Sequence, residues 1–154
     1  MERTIVGYRT DDDGDWVALL NCGHPQHVRH RPPLKVRPWV LTERGRRAHL
    51  GTPLRCVRCD QLEVPAHFVA YKKTPVFTQD SLPDALRDEH ATRPGIWARI
   101  HVLEGRLRYQ LPALRLNTVL TPEQGGVVPP EIPHRVEPVG AVRFFLELFA
   151  APQS

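Results

Sequence analysis

The sequence predicts a mainly β chain in two parts, a small α+β module over residues 1–65 and an antiparallel sandwich or barrel over residues 66–154. Three observations predict it. Sixteen prolines are spread through 154 residues, which breaks long helices and favours short strands joined by turns. The three cysteines, Cys22, Cys56 and Cys59, all fall in the first part, and His24, His27 and His30 crowd beside the first of them. Beyond Val64 the chain becomes a series of short β-prone runs punctuated by glycine and proline.

In the first part, residues 4–8 and 16–20 read as two strands around the turn-forming D-D-D-G-D of residues 11–15. That acidic run lacks the remaining ligands and closing glutamate of a calcium loop, so it is read as a turn. The hairpin delivers Cys22 and His24 at a tight turn, with Gly23 giving backbone freedom between them. R-P-P at residues 31–33 interrupts regular structure. Thr42 then caps a short helix running to Leu50, with Gly51 as its stop.

Zinc prefers four nitrogen and sulfur ligands in a tetrahedron, supplied as two close pairs. C-x-H at residues 22–24 followed by C-x-x-C at 56–59 meets that requirement, an order that recurs in one of the two zinc sites of RING-type fingers. The expected ligands are Cys22, His24, Cys56 and Cys59, with His27 and His30 as the alternatives to His24. Four protein ligands leave no open coordination position, so the Zn2+ is expected to staple the fold rather than catalyse.

The net charge of +4 is uneven. Residues 29–58 hold nine arginines and lysines against one acid, Glu43. Such a patch attracts polyanions, but no recognition helix or aromatic stacking platform accompanies it, which argues against nucleic acid. No long apolar run opens the chain and none approaches the ~20 residues of a membrane span. A cytoplasmic protein is expected, its cysteines serving a metal rather than disulfides.

In the second part the β-prone runs are residues 68–71, 76–78, 96–102, 107–111, 116–120, 127–128, 134–136 and 142–149. One short helix is expected at 83–89. Glu104–Gly105 and Val139–Gly140 read as turns between strands, the first of them a hairpin. Trp97 is expected in the core, and His101 exposed or hydrogen-bonded.

Both parts resemble known families. Residues 5–59, with I-V-G-Y, C-G-H-x-Q-H-V-R-H-x-P-P, R-P-W and C-x-x-C-D, resemble a small bacterial family without an assigned activity. In the second part, P-V-F-T at residues 75–78, H-A-T-R-P-G-I-W at 90–97, V-L-E-G-R-L at 102–107 and P-H-R-V-E-P at 133–138 resemble the tellurite-resistance TehB-type N-terminal domain and the YeaR-like proteins. That resemblance implies a cupin, a double-stranded β-helix or jelly-roll barrel. Cupins hold a divalent metal with histidines and a carboxylate, and the matching residues are His90, His134 and Glu147. Iron, manganese, nickel or zinc would suit them. The pattern is incomplete, with Thr92 where a second histidine might stand and Ala98 unable to coordinate, so the alternative is a small-molecule or oxyanion pocket. In that alternative His134 pairs with Glu137 and His90 caps the helix end. Arg99 and Arg143 are expected to bind an oxyanion if they face inward.

The resemblance implies a stress-response binding protein, with a metal-dependent oxygenase, isomerase or reductase as the alternative and a basic nucleic-acid-binding finger as a third reading. A homodimer is also compatible with a cupin. No G-x-G-x-G loop follows a strand within these residues, so methyl transfer is not expected of them.

Overall fold

The computed structural model describes residues 1–88 and 90–153. The chain is mainly β, 47% strand and 14% helix. It forms two compact units, Met1–Gln61 and Leu62–Ser154. No helix among the described residues is long and apolar enough to cross a membrane.

The first unit is built on a four-stranded antiparallel sheet. Its strands are β1 (Glu2–Thr10), β2 (Trp16–Leu20), β3 (Pro25–His27) and β4 (Pro53–Arg55), in the order β3-β2-β1-β4. Arg3 and Ile5 of β1 and Val17, Ala18 and Leu20 of β2 are buried, with Val28 and Val40 beside them in the core. The acidic run closes the β1–β2 hairpin as a turn. Asp11 Oδ1 accepts from the backbone N–H of Asp13 and of Asp15, each at 2.9 Å. Thr42 caps helix α1 (Glu43–Ala48) by accepting from the Gly45 N–H at 3.0 Å. The helix ends two residues short of Leu50, and the chain turns through Gly51 at φ +85°. Helix α2 (Val57–Asp60) is a single turn that starts from Cys56.

The second unit is one six-stranded sheet around two long strands. In chain order its elements are β5 (Val69–Lys73), β6 (Phe77–Thr78), α3 (Asp84–Arg87), β7 (Trp97–Leu111), β8 (Leu116–Leu120), β9 (Gly126–Val128) and β10 (Arg135–Ala150). β7 and β10 pair antiparallel from Trp97–Phe149 at one end to Gln110–Arg135 at the other. β8 and β9 line the far edge of β7, and β5 and β6 the far edge of β10. Even-numbered residues of β7 from Ala98 to Val102 and of β10 from Val142 to Leu148 turn to one core, with Leu107, Tyr109 and Leu111. Trp97 is fully buried.

Two expected turns are not turns. Glu104–Gly105 lies inside β7, and Val139–Gly140 lies inside β10. Each is a bend in a continuous strand, and the two bends face each other where the pairing shifts between Pro138 and Val142. Gly105, at φ +82°, sits against the Ala141 carbonyl, and a Cβ there would lie 2.1 Å from that oxygen. A bulge adds local twist and bends both strands. Turn-forming residues at matching levels of two paired strands therefore curl the sheet here instead of ending it.

Candidate metal centre and ligand cavity

The turn after β2 and the start of α2 bring the predicted zinc residues together. The Gly23 N–H bonds to the Leu20 carbonyl at 2.9 Å and the Leu20 N–H to the His24 carbonyl at 3.1 Å, which closes a tight loop carrying Cys22 and His24. Gly23 takes φ +97°, the conformation that lets both side chains turn to one side. From the other direction, the Cys56 N–H bonds to the Met1 carbonyl at 2.7 Å, and the α2 turn folds Cys59 back beside Cys56.

Cys22, His24, Cys56 and Cys59 are all buried, and their ligand atoms lie within 4.8 Å of one another. His24 Nδ1 is 3.4 Å from Cys22 Sγ, 3.3 Å from Cys56 Sγ and 3.6 Å from Cys59 Sγ, and Cys22 Sγ is 3.9 Å from Cys56 Sγ. A tetrahedral zinc at ordinary bond lengths separates sulfurs by about 3.8 Å and sulfur from nitrogen by about 3.6 Å. The donor set and its spacing fit a metal ion.

The protons tell the same story. Hydrogen bonds to Cys56 and Cys59 push the Cys22 thiol up, while the bonds that Cys56 receives from Cys22 and Cys59 hold its pKa far below the usual thiol range. Burial lowers the basicity of His24, but its hydrogen bonds to Cys56 and Cys59 outweigh that and push it up to about 9. Cys22 and His24 thus need to keep their protons to support the Cys56 thiolate. A dication removes that need, because metal binding displaces protons from thiol and imidazole together.

Arg3 is the residue that motif reading missed. It is 4% exposed, and its Nε donates to Cys59 Sγ at 3.4 Å. Its only signal in the sequence is that it shares the inward face of β1 with Ile5. The two alternative histidines have other work. His27 Nε2 pairs with Asp11 at 3.1 Å on the surface, and His30 Nδ1 accepts from the Arg37 backbone N–H at 2.9 Å. Much of the basic run is also partnered. Arg29 and Arg31 bind Asp15, Arg47 binds Glu43, Arg55 approaches Asp60, and the Arg46 guanidinium lies 3.7 Å over the Trp16 ring.

In the second unit a cavity of about 570 Å³ is lined by His90 and His134 together with Tyr71, Lys72, Thr74, Thr92, Arg93 and an apolar wall. His90 and His134 are joined by reciprocal backbone hydrogen bonds of 2.8 Å, and their ring centroids are 5.7 Å apart. Glu147 is not with them. It points to the opposite face of β10 and takes a 3.0 Å bond from His101. The one group of metal-ligating side chains found among the described residues is the first-unit cluster. His134 does not pair with Glu137, which is exposed; its Nδ1 bonds to the Ile132 carbonyl at 3.2 Å. Helix α3 ends at Arg87, short of His90, and the end of the predicted helix at residue 89 lies outside the described residues. Burial, with the neighbouring His90, lowers the His134 pKa and keeps its ring neutral. Arg99 and Arg143 stand on exposed faces, Arg99 over the Phe149 ring and Arg143 on Glu104 at 3.1 Å. The structure does not bring them to the cavity.

With this geometry in place, the comparisons with known proteins divide the chain as the structure does. Residues 6–63 match a family described as a protein of unknown function, DUF3565. Residues 72–146 match the TehB-like domain. The second unit is similar to the TehB-like domain over those residues. A Haemophilus influenzae protein named as a probable S-adenosyl-L-methionine-dependent methyltransferase, TehB, is 36% identical over 74 residues, 45% of this chain and 26% of that protein. The uncharacterized protein YeaR of Escherichia coli K12 is 26% identical over 102 residues, 60% of this chain and 86% of its own length. The chain thus spans about a quarter of the TehB protein that it matches. The crystal structure of Haemophilus influenzae TehB superposes with a TM-score of 0.51 at 29% identity, over 56% of this chain and 32% of that one. An Escherichia coli K12 protein superposes with a TM-score of 0.55 at 25% identity, over 59% of this chain and 98% of that one.

Proposed function

We propose that this chain is a ligand-binding stress-response protein related to tellurite resistance, in which a structural zinc staples the first unit and a cupin-type barrel holds a small ligand in the second. The observation that carries this reading is the contrast between its two centres. The four-ligand cluster is buried and complete, so a zinc there has no coordination position left for a substrate. The cavity beside His134 is open and roomy, yet gathers two imidazoles and no third metal ligand among the described residues. A closed metal site and an open cavity without a ligand triad support binding ahead of metal-dependent catalysis. Tellurite enters through the TehB-like match alone.

Metal content by mass spectrometry tests the assignment on the purified chain and on its Cys56→Ala and His134→Ala variants. One zinc per chain is expected, lost in Cys56→Ala and kept in His134→Ala. Iron or manganese that disappears with His134 would overturn the reading in favour of a cupin metalloenzyme.

A further inference from the structure

We propose that the second unit's cavity takes a small organic anion with an apolar body and a hydroxyl or amino donor at its inner end, in preference to a metal ion or a bare oxyanion. This deepens, and rests on, the ligand-binding reading above. The size is suitable, since about 570 Å³ falls within the usual range of small-molecule sites. Leu86, Ile96, Val128 and Leu146 give the cavity an apolar wall, which suits a hydrocarbon body and strands a compact hydrated ion.

The charge is arranged with one sign. Lys72 and Arg93 both line the cavity and are both exposed, which puts them at its mouth. No carboxylate lines it among the described residues. An anion is therefore favoured at the entrance, and a divalent cation finds no acidic ligand among the described lining residues.

The inner polar groups decide the rest. His134 Nδ1 lies 3.2 Å from the Ile132 carbonyl, which can only accept, so Nδ1 carries the proton and the neutral ring offers a lone pair at Nε2. Thr92 spends its hydroxyl proton on the Pro129 carbonyl at 3.2 Å, which leaves its oxygen as an acceptor, whereas the Thr74 hydroxyl is engaged on both sides, donating to the Pro75 carbonyl at 3.0 Å and accepting from the Leu146 N–H at 2.9 Å. His134 and Thr92 thus present acceptors to the cavity. An oxyanion placed beside them sets lone pair against lone pair, whereas a hydroxyl or amine can donate to one of them.

Four probes on the zinc-loaded full chain test this by calorimetry and by the ring ¹⁵N signals of His134. They are 4-hydroxyphenylacetate, its methyl ether 4-methoxyphenylacetate, its methyl ester, and sodium tellurite. The hydroxy acid is expected to bind and to shift the His134 signals. The ether, which has lost the donor, is expected to bind about tenfold more weakly. The ester is expected to lose about two- to fivefold, and so is the hydroxy acid on Lys72→Ala or Arg93→Ala, both exposed positions that do not carry the fold. An ether or ester that binds as tightly as the hydroxy acid overturns the ligand class. Tellurite moving the His134 signals more than the hydroxy acid also overturns it, while leaving ligand binding itself in place. If none of the four perturbs His134, the ligand class and the binding reading beneath it both fall.

Discussion

Arg3 is a buried cation set against a cluster that, once it holds zinc, carries three thiolates and a net negative charge. Its Nε–H on Cys59 Sγ orients that sulfur and spreads its charge, the kind of outer contact that tunes a metal site. Arg3→Leu keeps much of the volume and removes the N–H and the charge. Zinc affinity in competition with a chelator is expected to fall about 10- to 100-fold, and an unchanged affinity would reduce Arg3 to a packing residue. His134 makes a second case at this scale. Its folded pKa lies below the unfolded value because the ring is buried, with Tyr109 and His90 packed on it. The unfolded chain therefore binds the extra proton first. Stability from the neutral ring is complete above the unfolded pKa of about 6.5 and is lost as pH falls below it, toward the depressed folded value. Urea midpoints of the second unit at pH 7.5 and 5.5 check this. The wild type should lose more than His134→Gln over that interval, and equal losses would remove His134 from the acid sensitivity.

The element that decides the second unit's shape is the paired bend of β7 and β10. Gly105→Ala forces a β-carbon onto the Ala141 carbonyl at a left-handed φ. It is expected to cost about 2 kcal/mol or more, read as a lower unfolding midpoint of the second unit, while Gly140→Ala meets no neighbouring atom within 4 Å and should cost less. A Gly105→Ala protein as stable as wild type would mean that the bend does not need the glycine. This same bend marks the limit of what the sequence disclosed. The hairpin β1–β2, the Thr42 cap and strand β8 were readable because each is specified by neighbours a few residues away. Glu104–Gly105 and Val139–Gly140 carry turn chemistry in any context, and only the partner strand shows that they are bends. The site divides likewise. Cys22, His24, Cys56 and Cys59 come as two local pairs, so spacing alone proposed them. Glu147 was misplaced although a signal existed. Phe144, Leu146 and Leu148 turn to the core, so an odd-numbered neighbour on β10 faces away from them. Phe145 and Phe149 hid that alternation by making the opposite face apolar too. The acceptor character of the cavity was out of reach, because it depends on which carbonyls Thr92 and His134 meet after folding.

At the scale of the whole molecule, the two units rest on different sources of stability. Apart from the cysteines, the first unit's fully buried apolar side chains are Ile5, Val17, Ala18, Leu20, Val28 and Val40, a small core for some sixty residues. The second unit buries a larger cluster that includes Ile100, Leu107, Tyr109, Leu111, Leu120 and Phe144, with Trp97 in addition. Domains near sixty residues bury too little of their surface to be secure, and a metal commonly makes up the difference. A metal held by these four residues would also close a loop from Cys22 to Cys59, so its removal would free most of that unit's chain at once. Chelation at neutral pH is therefore expected to unfold Met1–Gln61 while Leu62–Ser154 keeps its sheet. Amide hydrogen exchange can follow both units in one sample. Amides of β1 and β2 should lose protection on adding a strong chelator, and amides of β7 and β10 should keep theirs. Cys59→Ser should reproduce the first effect without the chelator. Protection of β1 and β2 that survives both treatments would show that the six apolar side chains suffice and that the cluster serves something other than the fold.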